Sequence, residues 1–245
     1  MNKTSSEAVN WFSAFLEANP DLASGALKAL DVAIMPSFPL LAVAAELLAG
    51  SGVLYGGQDV SAHSFGAFTG EVAAEQLFDL GSTFAIVGHS ERRAYWGESS
   101  QLVASKARRA MEVGLTPIVC VGEKLEVRES GHAVAFTLEQ LSESLQGVEL
   151  ATGQEIVVAY EPVWAIGTGK TASASDAQEM AHAIRSFIAD TYGDDIASKA
   201  RILYGGSMKP ANTAEIMSQA DVDGGLVGGA SLKIDSFSQM IRAAV

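Results

Sequence analysis

Short runs of Val, Ile, Leu and Ala alternate along the chain with longer stretches in which apolar residues recur every three or four positions. The short runs are Asp31–Met35, Gly52–Tyr55, Thr83–Val87, Thr116–Val121, Glu155–Tyr160, Arg201–Tyr204 and Gly225–Val227. They lack the in-out alternation of a half-solvated strand, so they predict seven strands of a parallel sheet buried on both faces. The periodic stretches predict eight helices: Ser5–Ala18, Pro39–Leu48, Glu71–Leu80, Ser100–Val113, Val134–Gln146, Ser175–Tyr192, Thr213–Gln219 and Ser236–Ala244. In the first of these, Val9, Phe12, Phe15 and Leu16 form one apolar stripe, and Thr4 with Glu7 has the spacing of a capping box.

Strands that alternate with helices specify a parallel sheet with right-handed crossovers. Two architectures meet that description, a (β/α)8 barrel and a doubly wound open sheet. The unusual residues separate them, because they fall just after strand ends in several units: Gly88-His89, Glu161-Pro162, Gly205-Gly206-Ser207 and Gly228-Gly229. That distribution suits a barrel whose site lies on its C-terminal rim. The expected fold class is therefore α/β, a (β/α)8 barrel, with residues 1–245 as one domain. Such a barrel opens on a strand, whereas this chain opens on a helix, so the first strand is expected to be missing.

Composition narrows the partners. The 245 residues are 48% hydrophobic, enough for a large core, and disorder is excluded. Sixteen basic residues against 29 acidic give a net charge of −13, which repels nucleic acid and anionic membranes. Neither is an expected partner. The single cysteine, Cys120, cannot form an intramolecular disulfide, and no His/Cys spacing points to a metal. Met1–Asn10 lacks the apolar run of a signal peptide. The most apolar stretch, Val32–Gly50, is broken by Pro36 and Pro39 and carries Glu46, so it does not span a bilayer. These features fit a soluble protein of a reducing compartment.

The candidate chemistry lies at the strand ends. A histidine there is more often a hydrogen-bonded loop residue than a catalyst, and a glutamate there is usually solvated or ion-paired. His89 and Glu161 on one rim are more informative together, because a carboxylate base and an imidazole can move protons between neighbouring atoms. Pro162 restricts Glu161 to extended conformations. The run from Trp164 to Thr171 ends in Gly169-Lys170-Thr171, which resembles a P-loop, but Trp164 stands where that motif needs its first glycine. Nucleotide binding is rejected, and residues 163–172 read as an apolar flap that closes over a ligand. Gly205-Gly206-Ser207 and Gly228-Gly229, after the last two strands, let backbone N–H groups approach an anion. The loops after strands 7 and 8 are where barrels bind phosphate.

Six stretches carry a resemblance to a known family: Gly66-Ala67-Phe68-Thr69-Gly70-Glu71, Val87 to Arg93 (Val-Gly-His-Ser-Glu-Arg-Arg), Val119-Cys120-Val121-Gly122-Glu123, Ala159 to Lys170 (Ala-Tyr-Glu-Pro-Val-Trp-Ala-Ile-Gly-Thr-Gly-Lys), Tyr204-Gly205-Gly206-Ser207, and Asp223 to Leu232. In this order, from Lys3 to the C-terminus, they resemble the triosephosphate isomerases. The resemblance implies a TIM barrel that interconverts dihydroxyacetone phosphate and D-glyceraldehyde 3-phosphate through an enediolate, without cofactor or metal. It also implies a cytoplasmic homodimer of glycolysis and gluconeogenesis. By the same resemblance Glu161 is the base, His89 polarises the carbonyl, and Glu91 supports the site. Gly167, Ser207, Gly228 and Gly229 hold the substrate phosphate, and residues near Thr69 reach towards the partner subunit. The family's first strand ends in an Asn-x-Lys run that lines the site. Here Met1-Asn2-Lys3-Thr4 matches only the family's residues after that lysine, so Lys3 is not its substitute. The expectation is a chain that starts at an internal methionine, about a dozen residues short of ordinary barrel length. The alternative is a catalytically impaired barrel that still binds phosphorylated ligands.

Overall fold

The computed structural model describes residues 1–24, 30–150, 155–166 and 172–245. Among them the strands are β1 (Ala33–Ile34), β2 (Leu54–Gly57), β3 (Phe84–Val87), β4 (Thr116–Val121), β5 (Val157–Tyr160), β6 (Arg201–Tyr204) and β7 (Gly224–Gly225). The α-helices among the described residues are α1 (Ser5–Ala18), α2 (Pro20–Ser24), α3 (Leu41–Leu47), α4 (Ala74–Asp79), α5 (Ser90–Trp96), α6 (Ser100–Glu112), α7 (Leu125–Glu129), α8 (Ala133–Ser144), α9 (Ala174–Tyr192), α10 (Asp194–Ala197), α11 (Pro210–Met217) and α12 (Ile234–Ala243).

Every strand pairs in parallel with the next in sequence, in the order β1 to β7. Representative registers are Ile86 opposite Ile118, Val119 opposite Val158, and Ala159 opposite Leu203. An order without reversal has no switch point, which rules out the doubly wound sheet and supports the barrel. The strand period of two then divides the core. Phe84, Ile86, Ile118, Cys120, Val157 and Ala159 form one buried cluster, joined by Ala33, Met35, Leu54, Leu203 and Leu226. The intervening residues Ala85, Val87, Val119, Val121, Val158 and Tyr160 belong to a second cluster with the helices. Residues at both extremes of the sheet thus share one interior, as a curled sheet requires. At its base, the guanidinium of Arg201 reaches Asp31, the residue two before β1, at 2.5 Å.

The helical layer is continuous where the sheet has its two margins. The α1 side chains of Ala8, Trp11, Phe12 and Phe15 are buried with Leu40, Ala44 and Leu48 on one side and Ile241 on the other. Trp11 donates its indole N–H to the Leu232 carbonyl, and Asn19 donates to the Ser238 hydroxyl. The outward edges of β1 and β7 meet no strand among the described residues, which matches the expected seven. The capping box of α1 is present, with Thr4 and Glu7 bonded reciprocally. Its stripe is rotated from the expected one: Val9 is 40% exposed and Trp11 lies in the core instead. No described helix is long and apolar enough to cross a membrane.

Candidate active site

His89 and Glu161 come together at the C-terminal ends of β3 and β5. His89 follows Gly88 at the N-cap of α5, where its Nδ1 accepts the backbone N–H of Glu91 at 3.3 Å. An Nδ1 that accepts has no proton of its own, so the neutral ring carries its hydrogen on Nε2. That Nε2–H points to Glu161 Oε1 at 2.9 Å. Burial opposes charging of the imidazole. Its hydrogen bond to Glu161, with the charges of Glu161 and Glu91, outweighs burial and raises its pKa.

The glutamate is held from several sides. Its own N–H bonds to the Val121 carbonyl at 2.7 Å, which extends the β4–β5 ladder by one residue. Ser90 donates its backbone N–H to Oε2 at 2.9 Å and its hydroxyl to Oε1 at 3.2 Å. The side chain is almost wholly buried, and the close approach depends on glycine. A Cβ at Gly205 would lie 2.9 Å from Glu161 Cγ, and one at Gly122 would lie 1.7 Å from the Glu161 carbonyl oxygen.

Glu91 contributes chiefly through its backbone. Its carboxylate is exposed and lies 3.9 Å from His89 Nδ1. Ser207 stands in the turn that follows β6, two residues beyond Gly205, whose N–H bonds to the Tyr160 carbonyl. Its hydroxyl donates to the Ala165 carbonyl at 2.6 Å, joining that turn to the start of the flap. Gly228 precedes a 3-10 turn at Gly229–Leu232, and a Cβ at either glycine would meet nothing within 4 Å. The first N–H groups of such a turn lack intrahelical acceptors. An anion in the open space beside them would find donors and no side chain. Gly167 and half of the flap, residues 167–171, lie outside the described residues.

Sequence reasoning missed Ser90, although it stands inside the His89-Ser90-Glu91 run and donates to both carboxylate oxygens of Glu161. It also missed Glu123, a carboxylate with no measurable exposure, which accepts from Tyr160 Oη at 3.0 Å and Trp164 Nε1 at 2.9 Å. Burial, with the adjacent Glu123 charge and hydrogen bond, raises the Tyr160 pKa far above the usual phenol value. The signal for Glu123 was its place two residues after a buried strand. Among the described residues, no group of three or more His, Cys, Asp or Glu side chains could hold a metal ion.

Fold and site define a parallel α/β-barrel protein with an imidazole–carboxylate pair on the rim. A family model described as triosephosphate isomerase matches residues 1–244. Among similar proteins, the triosephosphate isomerase of Thermus thermophilus is 56% identical over 244 residues, covering 100% of this chain and 95% of that protein. That of Deinococcus radiodurans is 52% identical over 99% of this chain and 95% of its own length. That of Rubrobacter xylanophilus is 49% identical over 100% of this chain and 94% of its own. The chain belongs to the triosephosphate isomerase family.

Proposed function

We propose that this chain, folded as one domain, interconverts dihydroxyacetone phosphate and D-glyceraldehyde 3-phosphate by proton transfer between adjacent carbons. The observation that carries this reading is the contact between His89 Nε2 and Glu161 Oε1. It puts a carboxylate base within reach of an imidazole whose Nε2 hydrogen can turn to a substrate carbonyl. Glu161 exchanges its bonds with Ser90 for the substrate carbon, takes a proton and returns it to the neighbouring carbon. His89 donates to the oxygen on which charge develops, in an environment where such a donor is worth more than in water. Glu91 keeps the imidazole in its donor tautomer through its backbone N–H.

Gly167, Ser207, Gly228 and Gly229 hold the phosphate through backbone donors and one hydroxyl, which a chain of net charge −13 can offer without a basic cluster. Closure of the flap over residues 163–172 keeps water from the enediolate. The enzyme works in the cytoplasm as a homodimer, with the segment around Thr69 reaching the partner. The exposed rings of Phe68, Tyr95 and Trp96 support that contact. Identity to named isomerases along the whole chain favours catalysis over a barrel that only binds phosphorylated ligands.

Glu161→Gln tests the reading, because it keeps the shape and removes the base. Turnover in a coupled isomerase assay should fall at least about 10²–10⁴-fold, the usual worth of a positioned base, with the melting temperature little changed. Near-normal turnover would refute the assignment.

A further inference from the structure

Arg93 lies one turn into α5, and its guanidinium turns back beneath the residue that caps the helix. Nε donates to the Gly88 carbonyl at 2.8 Å, and Nη1 to the Ser100 hydroxyl at 3.2 Å. Nη2 donates to the Cys120 carbonyl at 3.1 Å and to the Ser144 hydroxyl at 3.0 Å. An arginine has five N–H donors in a fixed plane, so most of the fork is engaged. Its acceptors lie on the turn after β3, on α6, on β4 and on α8.

Two of these acceptors matter for the site. Gly88 is the residue before His89. Cys120 is the residue before Val121, whose carbonyl holds the Glu161 N–H. Gly88 has φ +68°, a conformation that L side chains rarely adopt, and a Cβ there would stand 2.8 Å from Arg93 Nη2. The turn that presents the imidazole is therefore built around the guanidinium. A rigid planar fork suits this task, whereas an ammonium is a single point donor cluster on a flexible stem. All four bonds go to carbonyls and hydroxyls that take no part in proton transfer.

We propose that Arg93 is a positioning residue for the isomerisation: by gripping the Gly88 and Cys120 carbonyls together, it sets the separation and orientation of His89 and Glu161. The proposal rests on the acid–base reading above and names what keeps that pair in register. A displacement of about 1 Å at reacting groups costs up to roughly 10²-fold in rate. The phosphate-holding loops after β6 and β7 share no bond with Arg93, so substrate binding should survive its loss.

The test uses the full chain with Arg93→Lys and Arg93→Met, measuring kcat, KM and the affinity for a phosphate-bearing competitive inhibitor. The expected result is a kcat lowered by about 10–100-fold in both variants, with KM and inhibitor affinity within about threefold of the parent. Lysine should fail to restore kcat, because it keeps the charge and loses the fork. Three outcomes would overturn the proposal: kcat within threefold of the parent, full rescue by lysine, or binding that weakens in step with kcat, as general loosening would give. If Arg93→Met does not fold, Arg93→Lys decides alone. Glu161→Gln separates the two levels, because an active Glu161→Gln protein sinks the acid–base reading itself. A dead Glu161→Gln beside fully active Arg93 variants sinks only the positioning role.

Discussion

Trp164, the second residue of the flap, donates its indole N–H to the buried carboxylate of Glu123 at 2.9 Å. The same Oε1 accepts from Tyr160, while Oε2 has no partner among the described residues. A buried carboxylate has few donors to spare. Trp164→Phe removes one of them and keeps much of the ring. A buried charged acceptor deprived of a donor costs about 1–3 kcal/mol. In a chain of this size that is a fall of about 2–12 °C in melting temperature, read by thermal denaturation. An unchanged melting temperature would mean that this bond does not help hold the flap's first turn.

Ser207→Ala should distinguish ligands by their phosphate. It removes one charge-assisted donor, worth about 1.5–3 kcal/mol, and releases the Ala165 carbonyl from the turn after β6. Affinity for a phosphate-bearing inhibitor should drop about 10–150-fold, and affinity for its phosphate-free analogue should stay nearly constant. Equal losses would remove Ser207 from the phosphate site.

Asp221 gives a pH-dependent prediction. It accepts from Gln178, Arg185 and His182, tying α9 to the segment before β7. Burial pushes its pKa up, but the bonds from Gln178, Arg185 and His182, with the arginine charge, lower it below the usual 3.8. A carboxylate depressed in the folded state stabilises the fold above its unfolded pKa, and this is lost as pH falls through the folded pKa. Asp221→Asn should therefore cost about 1.5–3 kcal/mol near neutrality. The gap from the parent in urea denaturation should hold down to about pH 5 and narrow below 3.8. A gap that widens as the pH falls below 3.8 would reverse the sign and refute the assignment.

The strands were legible because burial on both faces leaves an uninterrupted apolar run. β4 and β6 lie at their expected bounds, and β3 starts one residue late. The last strand shifted to Gly224–Gly225, where glycines give no side-chain signal and only backbone pairing marks it. α5 was not legible at all. Its sequence, Ser-Glu-Arg-Arg-Ala-Tyr-Trp, has no buried residue and hence no apolar stripe, and it is held by the inward turn of Arg93. In the site, His89, Glu161 and the glycine turns were found from their places after strands. Ser90 and Glu123 were missed because their importance lies in hydrogen bonds across 71 and 41 residues of chain, which no local pattern records.

The seam where α1 lies between α3 and α12 joins segments about 220 residues apart in the chain. Trp11 bonds to Leu232, Asn19 to Ser238, and Arg242 reaches back to the Ala18 carbonyl. During synthesis the aromatic face of α1 must therefore wait for almost the whole chain to leave the ribosome before its final neighbours exist. At about 5–20 residues per second, some 220 residues take on the order of 10–45 s. Throughout that interval Trp11 and Phe15 lack the cover that Leu232 and Phe237 supply, and so keep the kind of surface that chaperones hold and that aggregation exploits. The contacts that fasten the finished molecule together are thus also the ones that leave the nascent chain exposed longest.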